Sequence, residues 1–154
     1  MGQLVELVLE GMPPPAAEAV LTTLLAAARL DSAEIDGVAR RLAHPAADAL
    51  AAAERALLRL GELALPTLGP TRNVRLHLLR DATTYDLELS LDLDDVLDPE
   101  QLTADLHTLA QELASRFTIP HFFAGLDPAA DEDTRLFTGA ARGPLWFKRG
   151  AEEA

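Results

Sequence analysis

The 154-residue chain has no cysteine, and aromatic residues make up only 5% of it. The lack of cysteine excludes disulfide bonds, thiolate zinc sites, iron–sulfur clusters and a cysteine nucleophile. No run of about eighteen uncharged apolar residues occurs, so we expect no membrane-spanning segment. The N-terminus lacks the basic and apolar regions of a signal peptide. These absences together predict a cytoplasmic protein.

Positive charge is also scarce, since 13 basic residues face 25 acidic ones and the formal net charge is −12. Such a charge repels nucleic acid and anionic membranes, and it attracts a basic protein partner. It also keeps a small protein soluble, whatever its function. All but one of the basic residues are arginine, and alanine and leucine are abundant. This bias is typical of a GC-rich bacterial genome.

Motifs that would identify an enzyme are missing as well. The sequence contains no G-x-S-x-G nucleophile elbow, no glycine-rich phosphate loop and no H-x-x-x-H pair. The four histidines are far apart, although His77 and His121 could meet if their strands were neighbours. We therefore predict no catalytic residues, no metal and no cofactor.

The first half of the chain has mainly helical spacing. A short strand is predicted over 3–9, followed by a helix over 16–29. Asp31 and Glu34 resemble a capping box that starts a second helix ending near residue 42. An alanine-rich third helix is predicted over 46–62, and its small side chains would allow close packing against a second copy in a homodimer.

The second half has the spacing of strands. Apolar and polar residues alternate strictly over 85–93, which predicts a half-buried strand paired with a strand at 74–80 as a hairpin. Asp98, Pro99 and Gln101 have the types expected at the start of a helix, here over 99–116. Shorter strands are predicted at 119–126, 136–138 and 145–147.

This order predicts an α+β fold with an antiparallel sheet of four to five strands covered by helices. A ferredoxin-like plan with a helical insertion would also produce it. We expect one domain over 1–150, with a helical part over 14–62 and a ββαβ part over 72–148. Residues 151–154 are expected to be a frayed tail.

Acidic residues are concentrated in the second half, where no lysine or arginine occurs over 81–115. Those at the outer side of the predicted strand and in the loop at 127–133 are candidates for contact with a basic partner. They are Asp86, Glu88, Asp92, Asp94, Asp127, Asp131, Glu132 and Asp133. Alternatively, this face is simply solvated and protects a sheet from aggregation. The loop lacks the spacing of an EF-hand, so we predict no metal there.

Aromatic residues are concentrated near the C-terminus. Phe122 and Phe123 are adjacent, as are Trp146 and Phe147, so one member of each pair points to each side of a strand. Phe123 and Trp146 are the candidates for an apolar anchor beside the acidic loop.

We consider three functions. The first is a non-catalytic module that binds a basic protein through these acidic and aromatic residues. In size, acidity and lack of cysteine, the chain resembles bacterial immunity proteins that neutralise secreted toxins, particularly basic nucleases. The resemblance implies that acids mimic phosphate and block a cationic active site. The alternatives are a small-ligand-binding or dimeric regulatory domain, and an enzyme that uses Asp127 and Asp131 with His121 as base.

Overall fold

A single antiparallel sheet of nine strands organises the part of the chain that the computed structural model describes, residues 3–126, 129 and 131–143. The strands are β1 (Leu4–Met12), β2 (Ala28–Ile35), β3 (Val38–Ala39), β4 (Arg55–Leu65), β5 (Gly69–Asp81), β6 (Thr84–Asp92), β7 (His121–Leu126), β8 (Arg135–Thr138) and β9 (Ala141–Arg142). Their order across the sheet is β3-β2-β4-β5-β6-β1-β7-β8-β9. The helices are α1 (Pro14–Ala26), α2 (Pro45–Leu50) and α3 (Pro99–Arg116).

The helices pack on one face of the sheet, where alternate residues of the central strands form the core. One row of paired residues crosses six strands with only apolar side chains: Leu58, Leu76, Leu89, Leu7, Ala124 and Phe137. The buried side chains of α1, α2 and α3 belong to the same cluster. Because side chains alternate between faces, every second residue of these strands points away from the helices.

The predicted sheet of four to five strands is wrong, and so is the ferredoxin-like alternative. The structure has nine strands in one open antiparallel sheet with three helices, although the broader α+β description remains correct. The prediction of a single domain stays a prediction. The tail at 151–154 and the strand predicted at 145–147 lie outside the described residues.

The second and third predicted helices are also wrong. The second covers β2 and β3, and the third breaks into the short α2 followed by β4. In β4, the inward residues Ala56, Leu58 and Leu60 alternate with outward residues, but Leu57 also lies on the outward side and obscures the alternation. Pairing with neighbours on both sides determines the structure of β4, even though alanine and leucine favour a helix. The long helix suggested as a dimer surface therefore does not form.

A tight turn at Asp36 and Gly37 joins β2 to β3. Both residues have positive φ, 50° and 82°, as a two-residue hairpin turn requires. The Asp36 carboxylate accepts hydrogen bonds from the backbone N–H groups of Ala53, Glu54 and Arg55 at 2.8, 2.8 and 3.0 Å. These bonds lower the pKa of Asp36, and the bond from Arg55 contributes most to the shift. The turn is thereby attached to the start of β4.

Other elements agree with the sequence pattern. The predicted hairpin is β5 paired with β6, and the predicted helix over 99–116 is α3. Asp98 caps α3 by accepting a hydrogen bond from the Gln101 N–H at 3.1 Å. The first helix and the strand at 119–126 also form, with ends shifted by up to three residues.

Asp105 attaches α3 to the turn between β4 and β5. Its side chain is buried, with only 1% of the residue exposed. One carboxylate oxygen accepts from the backbone N–H groups of Thr67 and Leu68 at 3.0 and 2.8 Å, and the other accepts from the Gln101 amide at 2.9 Å. Burial raises the pKa of Asp105, but these hydrogen bonds outweigh it and the net shift is downward. Asp105 is therefore a charged structural anchor.

Candidate functional site

The face of the sheet opposite the helices, called here the open face, carries most of the candidate residues. Its central row pairs Phe123, Val8, Glu88, His77 and Leu57 on five adjacent strands. Apolar, acidic and basic side chains are therefore neighbours on this surface. A protein partner that rests on the sheet would meet all three kinds.

An acidic stripe runs along β6 and β1 on the open face. It consists of Asp86, Glu88 and Asp92 on β6 and Glu6 on β1, all partly exposed. The sequence pattern correctly predicted the outward direction of the three β6 residues. Two of them also have structural roles that the sequence did not indicate. Asp86 accepts a hydrogen bond from the Gly11 N–H at 2.8 Å, and Asp92 accepts one from the Asp94 N–H at 2.9 Å.

The acidic loop between β7 and β8 lies against the same face. The N–H of Ala129 donates to the Glu6 carboxylate at 3.2 Å. A Cβ atom built on Gly125 would lie 2.8 Å from the Thr134 carbonyl oxygen, so the loop passes directly over Gly125. The loop residues Asp131, Glu132 and Asp133 are exposed. Asp127 and Trp146 lie outside the described residues.

Gly125→Ala tests this placement of the loop. The new methyl group would meet the backbone of Thr134, which cannot move without shifting the loop, so we expect the free energy of unfolding to fall by about 2 kcal/mol. The measurement is urea unfolding followed by circular dichroism.

Gly61→Ala is the matched control, because a Cβ there meets the ends of the Arg29 and Asp31 side chains and not the backbone. We expect Gly61→Ala to destabilise the protein much less. Equal stabilities of the two variants would contradict the close approach of the loop to Gly125.

Of the two predicted aromatic anchors, the structure describes only Phe123, and another side chain partly covers its ring. Phe123, the candidate of its pair, lies on the open face, but the Arg135 guanidinium covers its ring at 4.3 Å. Arg135 is held in turn by the Ala129 carbonyl oxygen at 3.1 Å. Phe122 points to the opposite side, where its ring packs edge-on against Phe137 with centroids 6.2 Å apart. The Phe123 ring is therefore only partly exposed on the open face.

Sequence reasoning missed a basic part of the same face. Arg55 and Arg59 of β4 and Arg75 of β5, called here the arginine cluster, surround His77 beside the acidic stripe. Burial lowers the pKa of His77, and Arg75, Arg55 and Arg59 lower it further. The alternation of Arg75 and His77 along one strand was the available signal. The cluster also requires β4, whose alanines and leucines favour a helix locally.

The hypothetical catalytic groups that lie within the described residues do not come together. His77 lies on β5 and His121 on β7, and two strands separate them. His121 begins β7, whereas Asp131 follows the other end of that strand. Within the described ranges, no group of three histidine, aspartate or glutamate side chains is arranged to hold a metal ion. No helix among those residues is long and apolar enough to cross a membrane.

The fold is similar to that of a chain in a solved toxin complex. That chain belongs to the 1.75 Å crystal structure of the toxic C-terminal tip of CdiA from Pseudomonas aeruginosa in complex with immune protein. The TM-score is 0.78 at 19% sequence identity, and the match covers 94% of this chain and 99% of that chain. At this identity the likeness establishes the fold. No curated protein sequence matches the chain.

A family model identifies the class of protein as an immunity protein, and it matches residues 57–142, more than half of the chain. The chain belongs to the PABL017 Cdi1I immunity protein family. The predicted function of an immunity-type inhibitor that binds a protein is thereby confirmed. The predicted basic character of its partner stays a prediction.

Proposed function

We propose that this immunity protein binds the toxic C-terminal tip of a CdiA protein through its open face and thereby inhibits it. The main support is the family match, together with the fold shared with a chain of a complex between a CdiA tip and immune protein. The open face is the side of the sheet that the helices leave uncovered in the described part of the chain. A broad surface of this kind suits a protein partner better than a small ligand.

The acidic stripe and the acidic loop favour a partner with basic groups. Glu88 is at the centre of the stripe, while Asp131, Glu132 and Asp133 extend the negative surface past the end of β7. Carboxylates in these positions would attract lysine and arginine side chains of a toxin and accelerate their encounter. Asp94, exposed beside Asp92, would add to the same field. Asp127 and Trp146 remain candidates by sequence.

We also retain the cytoplasm as the proposed location. A chain without cysteine needs no oxidising compartment to fold, because it forms no disulfide bond.

The test is binding and protection with the CdiA tip made by the organism that encodes this chain. We expect calorimetry to show one chain per tip, with a dissociation constant that rises between low and high salt because charged groups contribute. We also expect cells that express the tip to grow when this chain is co-expressed. A folded chain that neither binds the tip nor restores growth would refute the proposal. Binding that is insensitive to salt would refute the role of the acids.

A further inference from the structure

The arginine cluster is unusual because it concentrates positive charge on a protein of net charge −12. Arg59 and Arg75 are directly opposite each other on adjacent antiparallel strands. Their Cβ atoms are therefore about 5 Å apart, a distance at which like charges destabilise a sheet. Arg55 lies four residue pairs further along β4, opposite Leu79, and faces the same side.

Partners within the chain neutralise little of this charge. Arg59 reaches the Glu34 carboxylate at 3.6 Å, but both side chains are more than a third exposed, so this ion pair is weak. Among the described residues, Arg55 and Arg75 form no ion pair. Two guanidinium groups on one sheet face thus retain donors for an external acceptor.

A cleft beside the arginine cluster offers space for such an acceptor. It has a volume of ≈ 430 Å³ and is lined by Arg59 and Arg75 together with the polar residues Ser32 and Asn73. Asp92 of the acidic stripe also lines it, together with Asp31 and Asp95. Groups of both charges therefore border one concave region of the open face.

We propose that the arginine cluster binds carboxylate groups of the protein partner, while the adjacent acidic stripe binds its basic groups. This inference rests on the proposed function and adds that the partner's contact surface carries both signs of charge. Guanidinium groups bind carboxylates through paired hydrogen bonds, which fixes their relative orientation. Nucleic acid is disfavoured because it carries no basic groups to pair with Glu88 and Asp92 beside the cluster, whereas a protein partner can present both signs of charge. Opposite charges side by side would also define how the partner is oriented on the sheet.

Arg75→Glu tests whether Arg75 binds the partner or only affects the stability of the sheet. It replaces a like-charge pair with an opposite-charge pair across β4 and β5, so we expect the melting temperature to stay the same or rise. Binding of the CdiA tip should nevertheless weaken about tenfold or more, because a carboxylate would then face the partner's carboxylates. The neutral Arg75→Gln should weaken binding less than Arg75→Glu does.

Arg116→Glu, at the end of α3, is the control with the same change in net charge. We expect it to alter the dissociation constant less than about twofold, because Arg116 lies on the helical side of the sheet. Unchanged or tighter binding by Arg75→Glu would overturn this inference alone. So would Arg75-dependent binding of RNA or duplex DNA by the chain without the tip. Failure of the wild-type chain to bind the tip would overturn the proposed function as well.

Discussion

Replacing Asp105 with alanine should destabilise the protein by about 3 kcal/mol, because the change removes a buried carboxylate and leaves three partly buried donors without their acceptor. The backbone N–H groups of Thr67 and Leu68 would lose the carboxylate oxygen that accepts their hydrogen bonds. The Gln101 side-chain amide would lose the other oxygen of the same carboxylate. The contact joins α3 to the turn between β4 and β5. Urea unfolding at pH 7 measures the effect, and Glu112→Ala on the exposed side of α3 should change stability by less than about 0.5 kcal/mol.

The same aspartate predicts a dependence on pH. Because folding lowers the pKa of Asp105, its contribution to stability is fully present above the unfolded pKa of about 3.9. The contribution is lost as the pH falls through the lower pKa of the folded state. The stability difference between wild type and Asp105→Asn should therefore be constant near neutral pH and shrink in acid. A difference that grows as the pH falls would show that the carboxyl group is protonated in the folded protein.

Reversing the charge of Glu88 should weaken binding of the CdiA tip by about 10- to 100-fold, if the acidic stripe contacts basic groups of the toxin. Glu88 is chosen for this test because it lies at the centre of the open face, between His77 and Val8 on the adjacent strands. Calorimetry with Glu88→Arg at low and high salt measures the loss. We expect it to be largest at low salt.

Glu112→Arg provides the same change in net charge on the helical side and should leave affinity within about threefold of wild type. Glu88→Gln removes the charge without adding a cation beside His77, its cross-strand neighbour. It should cause a smaller loss than Glu88→Arg. If both variants at position 88 bind like wild type, the acidic stripe is a solvated face and not the contact surface.

The sequence predicted those elements whose local signals agree with their tertiary contacts. The strand at 85–93 alternates strictly because one side is buried and the other is not, and it appears as β6. The helix at 99–116 has a capping aspartate, an N-terminal proline and one apolar side, and it appears with the same ends as α3. In both cases local preference and packing favour the same structure.

β2 and β4 could not be predicted in the same way. Their leucines and alanines favour helices locally, and only pairing with β5 and with each other makes them strands. One strong local signal was overlooked, the Asp36–Gly37 pair. An Asp-Gly pair is typical of a two-residue hairpin turn. Reading it as a turn would have replaced the second helix with β2 and β3.

Only part of the candidate site was predicted, because only some of the strands that form it were predicted. The acids of β6 were found because that strand was found, and their common direction follows from alternation alone. The arginine cluster was missed because it is assembled from β4 and β5, and β4 had been assigned to a helix. That Phe122 and Phe123 point to opposite sides follows from alternation, but the cover of Phe123 by Arg135 depends on the path of the acidic loop. No local pattern encodes that path.

Carboxyl labelling of the complex tests most directly whether the open face is the contact surface. The free chain and its complex with the CdiA tip would be treated with a carboxyl-modifying reagent and compared by mass spectrometry. We predict that Glu88, Asp131 and Asp133 are labelled less in the complex, while Glu18 on α1 and Glu112 on α3 are labelled equally in both states. Protection of Glu18 and Glu112 with unchanged labelling of Glu88 would contradict the account and place the toxin on the helices.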